Sequence, residues 1–259
     1  MIRVENLTKS FGKTVAVNHI DLYVPPGEVM GFLGPNAAGK TTTIRMLAGL
    51  MKPDSGTIIL DGHNLAAEPE KAKAITGFVP DRPYLYEKLT GWEFLQFSAG
   101  IYGVDNGDLE KLGMHYLEMF ELSDWKDELI EGYSHGMKQR LIISAALLHH
   151  PKILIIDEPM VGLDPRGVRL VKDLFMQMAR SRGMAVFLST HTLAVAEEIC
   201  TIITIIHKGK IIASDTPANI KSTIARTQGN LEKAFLKLTG HEETAGLRGS
   251  LGIAQMPPE

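Results

Sequence analysis

The segment from Gly34 to Thr41, which reads Gly-Pro-Asn-Ala-Ala-Gly-Lys-Thr, constrains the fold of this 259-residue chain more than any other feature. It stands between an apolar run typical of a buried strand, Val29 to Leu33, and a segment of helical spacing that begins near Lys40. In that context a G-x-x-x-x-G-K-[ST] loop turns backbone N–H groups toward phosphate oxygens, and the helix adds its positive N-terminal end. The sequence therefore predicts a phosphate-binding loop on an α/β sheet.

Two side chains of this loop carry chemistry of their own. Lys40 is predicted to contact the β- and γ-phosphates of a nucleoside triphosphate, and the Thr41 hydroxyl is predicted to bind Mg²⁺. A glycine turn that precedes a helix with a chance lysine is the alternative, but every fixed position and both flanking elements agree with the loop. The predicted nucleotide-binding residues of the loop are Gly34, Pro35, Asn36, Ala37, Ala38, Gly39, Lys40, Thr41 and Thr42.

A second element, at 153–158, joins an aliphatic strand to two carboxylates and reads Ile-Leu-Ile-Ile-Asp-Glu. Ligands of open α/β sheets bind at the carboxyl ends of the strands, which is where this acidic pair emerges. Asp157 is predicted to hold Mg²⁺ through oxygen, and Glu158 to act as general base on the attacking water. A strand that ends in a solvated acidic turn is the alternative, and the phosphate-binding loop in the same chain argues against it.

The remaining pattern divides the chain into three parts. Strand-forming residues interrupted by Gly12 and Lys13 predict an antiparallel unit near the N-terminus, and strands alternate with helices again after Lys152. Apolar residues at helical spacing fill the region between these parts. We therefore expect an α/β core at 1–84 and 151–222, a helical subdomain at 85–150, and a C-terminal helix with a mobile tail at 223–259.

A further motif, Tyr-Ser-His-Gly-Met-Lys-Gln-Arg at 133–140, stands directly before an apolar helical segment. It resembles the signature sequence of ABC ATPases, L-S-G-G-Q followed by Q-R. The order of phosphate-binding loop, helical insert, signature and acidic strand is similar to that of ABC transporter nucleotide-binding subunits over about residues 2–220. Asp164 stands in a segment that resembles the family's D-loop, His191 resembles its switch histidine, and Phe11 stands where the family places an aromatic ring against adenine.

This resemblance implies a fold, an activity and partners. The fold is α/β: a P-loop NTPase core with a mostly parallel sheet, an N-terminal antiparallel β subdomain and an inserted α-helical subdomain. The activity is ATP hydrolysis with ATP and Mg²⁺, in which Lys40, Glu158 and His191 serve catalysis. The partners are integral membrane permease subunits and a second ATP-binding subunit, in a homodimer or heterodimer that encloses the nucleotide. The signature residues that would face the partner's nucleotide are Ser134, His135, Gly136 and Met137.

Some positions differ from the usual family pattern. Ala37 stands where glycine is common, and a positive φ there would cost on the order of 1 kcal/mol. Asp81 stands in place of the Q-loop glutamine; its carboxylate can bind Mg²⁺ through a water but lacks the amide donor. His135 and Met137 replace signature residues, and the resulting form is similar to the branch that serves multidrug, lipid, polysaccharide and sodium exporters. This similarity favours export.

The composition of the chain and its apolar segments indicate which partners and which location to expect for the protein. The chain has 27 Lys and Arg against 30 Asp and Glu, a net charge of −3, so no nucleic-acid partner is expected. The N-terminus lacks a signal-peptide pattern, and no apolar run reaches the length of a membrane span. We therefore expect a cytoplasmic protein that is peripheral on the inner face of the cell membrane.

Three other classes of protein compete with this interpretation. A soluble ABC-type ATPase acting on nucleic acid or ribosomes is the main alternative, although such proteins usually carry a long coiled coil or two cassettes. A binding module without ATPase activity would fit Ala37 and Asp81, but the presence of Lys40, Glu158 and His191 argues against it. A kinase or GTPase would leave the signature segment unexplained.

Overall fold

The structure is a computed structural model that describes residues 1–160, 162–191 and 193–225. The predicted C-terminal tail, from 226 onward, lies outside the described residues. Among the residues that are described, no helix is both long and apolar enough to span a bilayer. In chain order the elements are β1 (Ile2–Phe11), β2 (Thr14–Val24), β3 (Val29–Leu33), α1 (Lys40–Leu47), β4 (Ser55–Leu60), β5 (His63–Asn64), α2 (Pro69–Ala74), β6 (Thr76–Val79), α3 (Gly91–Tyr102), α4 (Asn106–Met119), α5 (His135–Leu147), β7 (Ile153–Asp157), α6 (Pro165–Arg182), β8 (Ala185–Thr190), α7 (Leu193–Ile199), β9 (Ile202–His207), β10 (Lys210–Asp215) and α8 (Pro217–Ala225), with 3₁₀ turns at Ser123–Trp125 and Ile130–Gly132.

The strands form two sheets, as the sequence predicts. An antiparallel sheet near the N-terminus has the order β2-β1-β4-β5. A larger sheet has the order β10-β9-β3-β8-β7-β6 and is parallel except at its β10 edge. The mostly parallel sheet, the antiparallel sheet and the intervening helices confirm the predicted fold class.

The central strands β3, β7 and β8 of the larger sheet are buried on both faces, which explains their continuous apolar runs. In β7, Leu154 and Ile156 belong to one hydrophobic cluster, while Ile153 and Ile155 pack in a second cluster with α1. Because side chains alternate along a strand, Asp157 lies on the same face as Ile153 and Ile155. The alternation therefore directs this carboxylate toward the side of the sheet that carries α1 and the phosphate-binding loop.

The segment between β6 and β7 is helical, as predicted. Helix α3 begins with a capping box, in which Thr90 Oγ1 accepts from the Glu93 amide at 3.1 Å and the Glu93 carboxylate accepts from the Thr90 amide at 2.8 Å. Helices α4 and α5 are capped by the preceding residues Asp105 and Ser134, whose side chains each accept a backbone N–H of the first turn. The exact domain boundaries stay a prediction.

Element boundaries differ from the sequence-based expectation in a few places. The spacing predicts a helix from Lys40 to about Leu50, but α1 ends at Leu47 because the chain turns into a left-handed conformation at Gly49, with φ of 66°. The two strand segments predicted between 15 and 24 form one strand, β2, with a break in pairing around His19, where φ is 50°. The short elements α2 and β5 have too few residues for a periodic signal.

Candidate functional site

The predicted phosphate-binding loop connects β3 to α1. Lys40, the first residue of α1, is buried, and its Nζ donates to the carbonyl oxygens of Gly34 at 2.7 Å and Pro35 at 3.2 Å. Burial lowers the pKa of Lys40, while the negative charges of Glu158 and Asp157 oppose this shift. The ammonium group therefore lies inside the curve of the loop and close to both predicted carboxylates.

The two fixed glycines of the loop are required by close approaches of other strands. Gly39 has a φ of 113°, and a Cβ there would lie 2.5 Å from the carbonyl oxygen of Ala16 in β2. A Cβ on Gly34 would lie 2.4 Å from the carbonyl oxygen of Ile206 in β9. Substitution of either glycine would push the loop away from the strands that support it.

Ala37 adopts a left-handed conformation with φ of 61°. A positive φ is the conformation in which, from the sequence, alanine is expected to be strained. The cost of placing a Cβ in this region is on the order of 1 kcal/mol per residue. The loop retains its course despite the strain, since the backbone of the neighbouring Ala38 is hydrogen-bonded to Pro35 and Gly209.

Replacement of Ala37 by glycine is expected to raise the free energy of unfolding by up to about 1 kcal/mol, the strain relief less the added freedom of the unfolded chain. ATP affinity should change little, because the loop contributes backbone rather than side-chain groups at this position. Urea unfolding of both proteins measures the difference. Ala38→Gly, at a buried position without positive φ, is the matched control and should lose stability. A free energy of unfolding lower for Ala37→Gly than for the wild type would contradict the interpretation that Ala37 is strained.

A cleft of about 510 Å³ lies beside the loop. Phe11 lines it and is 49% exposed, so this ring is not a core residue of the N-terminal hairpin. The turn between β9 and β10 adds Lys208 and Gly209, which the sequence does not assign to the site. The Lys-Gly pair predicts a hairpin turn, but its contact with the loop depends on strand order and has no sequence signal. The loop residues that line the cleft are Asn36, Ala37, Gly39, Lys40, Thr41 and Thr42.

Asp157 occupies the end of β7 and is buried. The Ser189 hydroxyl in β8 donates to Asp157 Oδ1 and accepts from the Glu158 amide at 3.1 Å, so it fixes both acidic residues. Burial raises the pKa of Asp157, and the charges of Asp81 and Glu158 raise it further, while Ser189 and Lys40 act to lower it. Asp81, the residue in place of the Q-loop glutamine, therefore lies near enough to act electrostatically on this carboxylate.

Glu158 and His191, which the resemblance assigns separately to catalysis, meet across the ends of β7 and β8. Glu158 Oε2 lies 2.9 Å from His191 Nδ1, and the histidine side chain is 64% exposed. Glu158 has a positive φ of 51°, which is uncommon for a residue with a side chain and is found where a functional group must be directed. The arrangement suits a carboxylate that accepts a proton and an imidazole that orients it.

The donors at this site are those that Mg²⁺ prefers. Within the described residues, no three His, Cys, Asp or Glu side chains form a metal-binding group. Mg²⁺ in nucleotide sites usually takes only one or two carboxylates and completes its shell with phosphates and water. The pKa of Asp157 is raised by burial and also by the nearby Asp81 and Glu158 carboxylates, and these three groups offer the excess negative charge that such an ion would neutralise. The residues therefore fit the ion.

None of the signature residues Ser134, His135, Gly136 and Met137 lines the cleft. Ser134 caps α5, with its Oγ accepting from the Met137 amide at 3.2 Å. His135 packs on the D-loop, because a Cβ on Gly162 would lie 2.0 Å from its Cδ2 atom. Asp164 caps α6 by accepting from the Gly167 amide at 3.0 Å. The signature and the D-loop thus form one continuous surface.

Comparison with known proteins agrees with this geometry. Residues 17–161 match the family described as ABC transporter. The linearmycin resistance ATP-binding protein LnrL of Bacillus subtilis (strain 168) is 38% identical over 91% of this chain and 78% of its own. The bacitracin transport ATP-binding protein BcrA of Enterococcus faecalis is 39% identical over 82% of this chain and 68% of its own. A solved structure of the ATP binding subunit of an ABC transporter superimposes with a TM-score of 0.86 at 32% identity, covering 92% and 99% of the two chains.

The chain belongs to the ABC transporter family. It is an ATP-binding subunit of such a transporter, and its activity is that of the family's ATPases. The predicted family, fold and ATP-hydrolysing function are confirmed. The soluble ABC-type ATPase is not favoured, because the relatives are transport and resistance subunits.

Proposed function

We propose that this subunit hydrolyses ATP to drive export of a small molecule through separate permease subunits. The observation that carries the proposal is the meeting of Lys40, Asp157 and Glu158 beside a cleft lined by Phe11. Relatives named for linearmycin resistance and bacitracin transport support a cargo of the antibiotic class that leaves the cell. In this proposal the subunit lies on the inner face of the cell membrane, held there by its permease.

In the proposed reaction the adenine stacks on Phe11 and the phosphates lie along the loop, with Lys40 at the β- and γ-phosphates. Glu158 accepts a proton from the water that attacks the γ-phosphorus, and ADP leaves as the bond to the γ-phosphate breaks. His191, at 2.9 Å from Glu158, positions that carboxylate. Thr41 and Asp157 would hold Mg²⁺, with Asp81 acting through a water, and the bound ion supplies charge neutralisation for the phosphates.

A second ATP-binding subunit completes the site in this proposal. Ser134 is exposed at the start of α5, and its hydroxyl proton is available because the cap uses the oxygen as acceptor. A helix N-terminus with a free hydroxyl donor favours an anion. The family resemblance implies that the γ-phosphate contacted by the signature belongs to the partner subunit, and none of the signature residues lines the cleft of its own chain.

The permease-facing surface is proposed to be an apolar patch formed by Tyr84, Tyr86, Phe97 and Ile101. Tyr84 is 81% exposed and Ile101 is 65% exposed. Phe97 and Ile101 share one face of α3, and the Tyr86 ring meets Phe97 edge-on at 5.1 Å. The patch begins three residues after Asp81, so a helix or loop of the permease seated there would lie next to the nucleotide site.

Exchange of Tyr84 and Ile101 for serine is expected to abolish capture of the permease, because the pair supplies the most exposed apolar area of the patch. The tagged subunit is recovered from detergent-solubilised membranes of the source cells, with and without ATP and vanadate, and its partners are identified by mass spectrometry. The double variant should still bind ATP, since exposed side chains contribute little to folding.

Tyr23→Ser is the matched control, because Tyr23 is 52% exposed but lies on β2, away from the patch. A multispanning membrane protein recovered with the wild type and with Tyr23→Ser, and absent with the double variant, supports the proposal. Equal recovery with all three proteins would place the permease on another surface. Recovery of ribosomal or DNA-associated proteins alone would contradict the transporter assignment.

A further inference from the structure

The turn between β9 and β10 is held rigidly against the nucleotide cleft. The Gly209 amide donates to the carbonyl oxygen of Ala38 at 2.9 Å, and the Gly209 carbonyl accepts from the Asn18 amide at 2.8 Å. A Cβ on Gly209 would lie 2.9 Å from the carbonyl oxygen of Ala16. The turn therefore bonds to the phosphate-binding loop on one side and packs on β2 on the other.

Lys208 is the charged residue of this turn. It has a positive φ of 47°, its side chain is exposed, and it lines the same cleft as Phe11 and Lys40. None of the described residues that line the cleft is acidic. No ion pair among the described residues involves the Lys208 ammonium. Its charge faces a cleft whose other functional groups are backbone amides, hydroxyls and the Lys40 ammonium.

We infer that Lys208 binds a phosphate group of the bound nucleotide, as a second lysine contributed from outside the phosphate-binding loop. A cation that is free of protein carboxylates and held next to the loop lowers the energy of a polyanion in the cleft. The backbone bonds of the turn keep the main chain of Lys208 at the cleft before the nucleotide arrives, so binding orders the lysine side chain but not the turn that carries it. Because Lys208 is exposed, its contribution is modest and sensitive to salt.

Replacement of Lys208 by alanine or glutamine is expected to weaken binding of ATP and ADP by about fivefold at low salt, the scale of an exposed charge pair. The difference from wild type should shrink at high salt, because added ions screen the contact. The KM for ATP should rise while kcat at saturating ATP stays unchanged, since the contact is made in ground state and transition state alike. Lys208→Arg should retain most of the affinity.

The matched control is Lys210→Ala, an exposed lysine that follows the same turn and does not line the cleft. All Lys208 variants keep a side chain at the positive φ, so the backbone strain is the same in each. Adenosine binding separates the phosphate contact from a base or ribose contact and should be unaffected. Affinities for ATP equal to wild type in Lys208→Ala would overturn the inference, as would an equal loss for adenosine.

Discussion

Replacement of Lys40 by alanine is expected to weaken ATP binding and to lower the turnover rate by about 10²- to 10³-fold, the scale for loss of one preorganised donor at a developing charge. The ammonium group is buried, donates to Gly34 and Pro35, and lies near the charges of Glu158 and Asp157. In such surroundings its interaction with phosphate is stronger than in water, and a water molecule cannot replace it. Phosphate release and calorimetric titration with ATP measure the two effects.

Lys40→Met separates the effect of losing the charge from the effect of losing side-chain packing. Methionine keeps an unbranched apolar stem of similar volume but lacks the ammonium group. We expect Lys40→Met and Lys40→Ala to lose activity alike, while thermal unfolding distinguishes any loss of fold. Lys13→Ala, at the exposed β1–β2 turn, is the control for removal of a lysine. Undiminished ATP turnover in Lys40→Ala would refute the assignment of the phosphate-binding loop.

Replacement of Glu158 by glutamine is expected to preserve ATP binding and to slow hydrolysis by about 10²- to 10⁴-fold, the usual contribution of a general base. Glutamine has the same shape and can still accept a hydrogen bond from His191, so the positions of the neighbouring side chains should not change. It cannot take up the proton of the attacking water. An ATP-bound dimer should therefore accumulate, which size-exclusion chromatography with ATP detects.

Glu68→Gln is the matched control for this variant, because Glu68 also pairs with a histidine, His63 Nδ1 at 3.4 Å, on a surface remote from the cleft. Its turnover should equal that of the wild type. If Glu158→Gln hydrolyses ATP like the wild type, Glu158 is not the general base. If hydrolysis stops and no dimer forms, the role of Glu158 stands and the proposed arrangement of two subunits is wrong.

The local motifs of the site can be recognised in the sequence because each consists of residues that lie close together in the chain. The loop needs glycine at Gly34 and Gly39 and a lysine at the helix start, and these requirements appear at fixed spacing. The strand that ends in Asp157 and Glu158 is equally local, since a buried parallel strand is a continuous apolar run. The position of the phosphate-binding loop, the acidic pair and the fold class could therefore be predicted from the sequence.

Other features of the site depend on contacts between distant segments. The pairing of Glu158 with His191 follows from the adjacency of β7 and β8, and it was not predicted from the sequence, where the two residues were assigned separately. The sequence indicated that Ala37 would be strained at a positive φ but could not decide the sign of φ. That angle depends on the strands that enclose the loop. The effect of Asp81 on Asp157 likewise depends on the order of β6 and β7.

The sequence alone determined the class of this protein and its ATP chemistry, and it predicted the residues that would carry this chemistry. Phosphate binding by consecutive backbone amides and catalysis at strand ends leave short signatures in the order of the residues. Only the tertiary structure decided that Lys208 lines the cleft and that His135 packs on Gly162. These relations arise from strand order and helix packing between segments far apart in the chain, which no local pattern records.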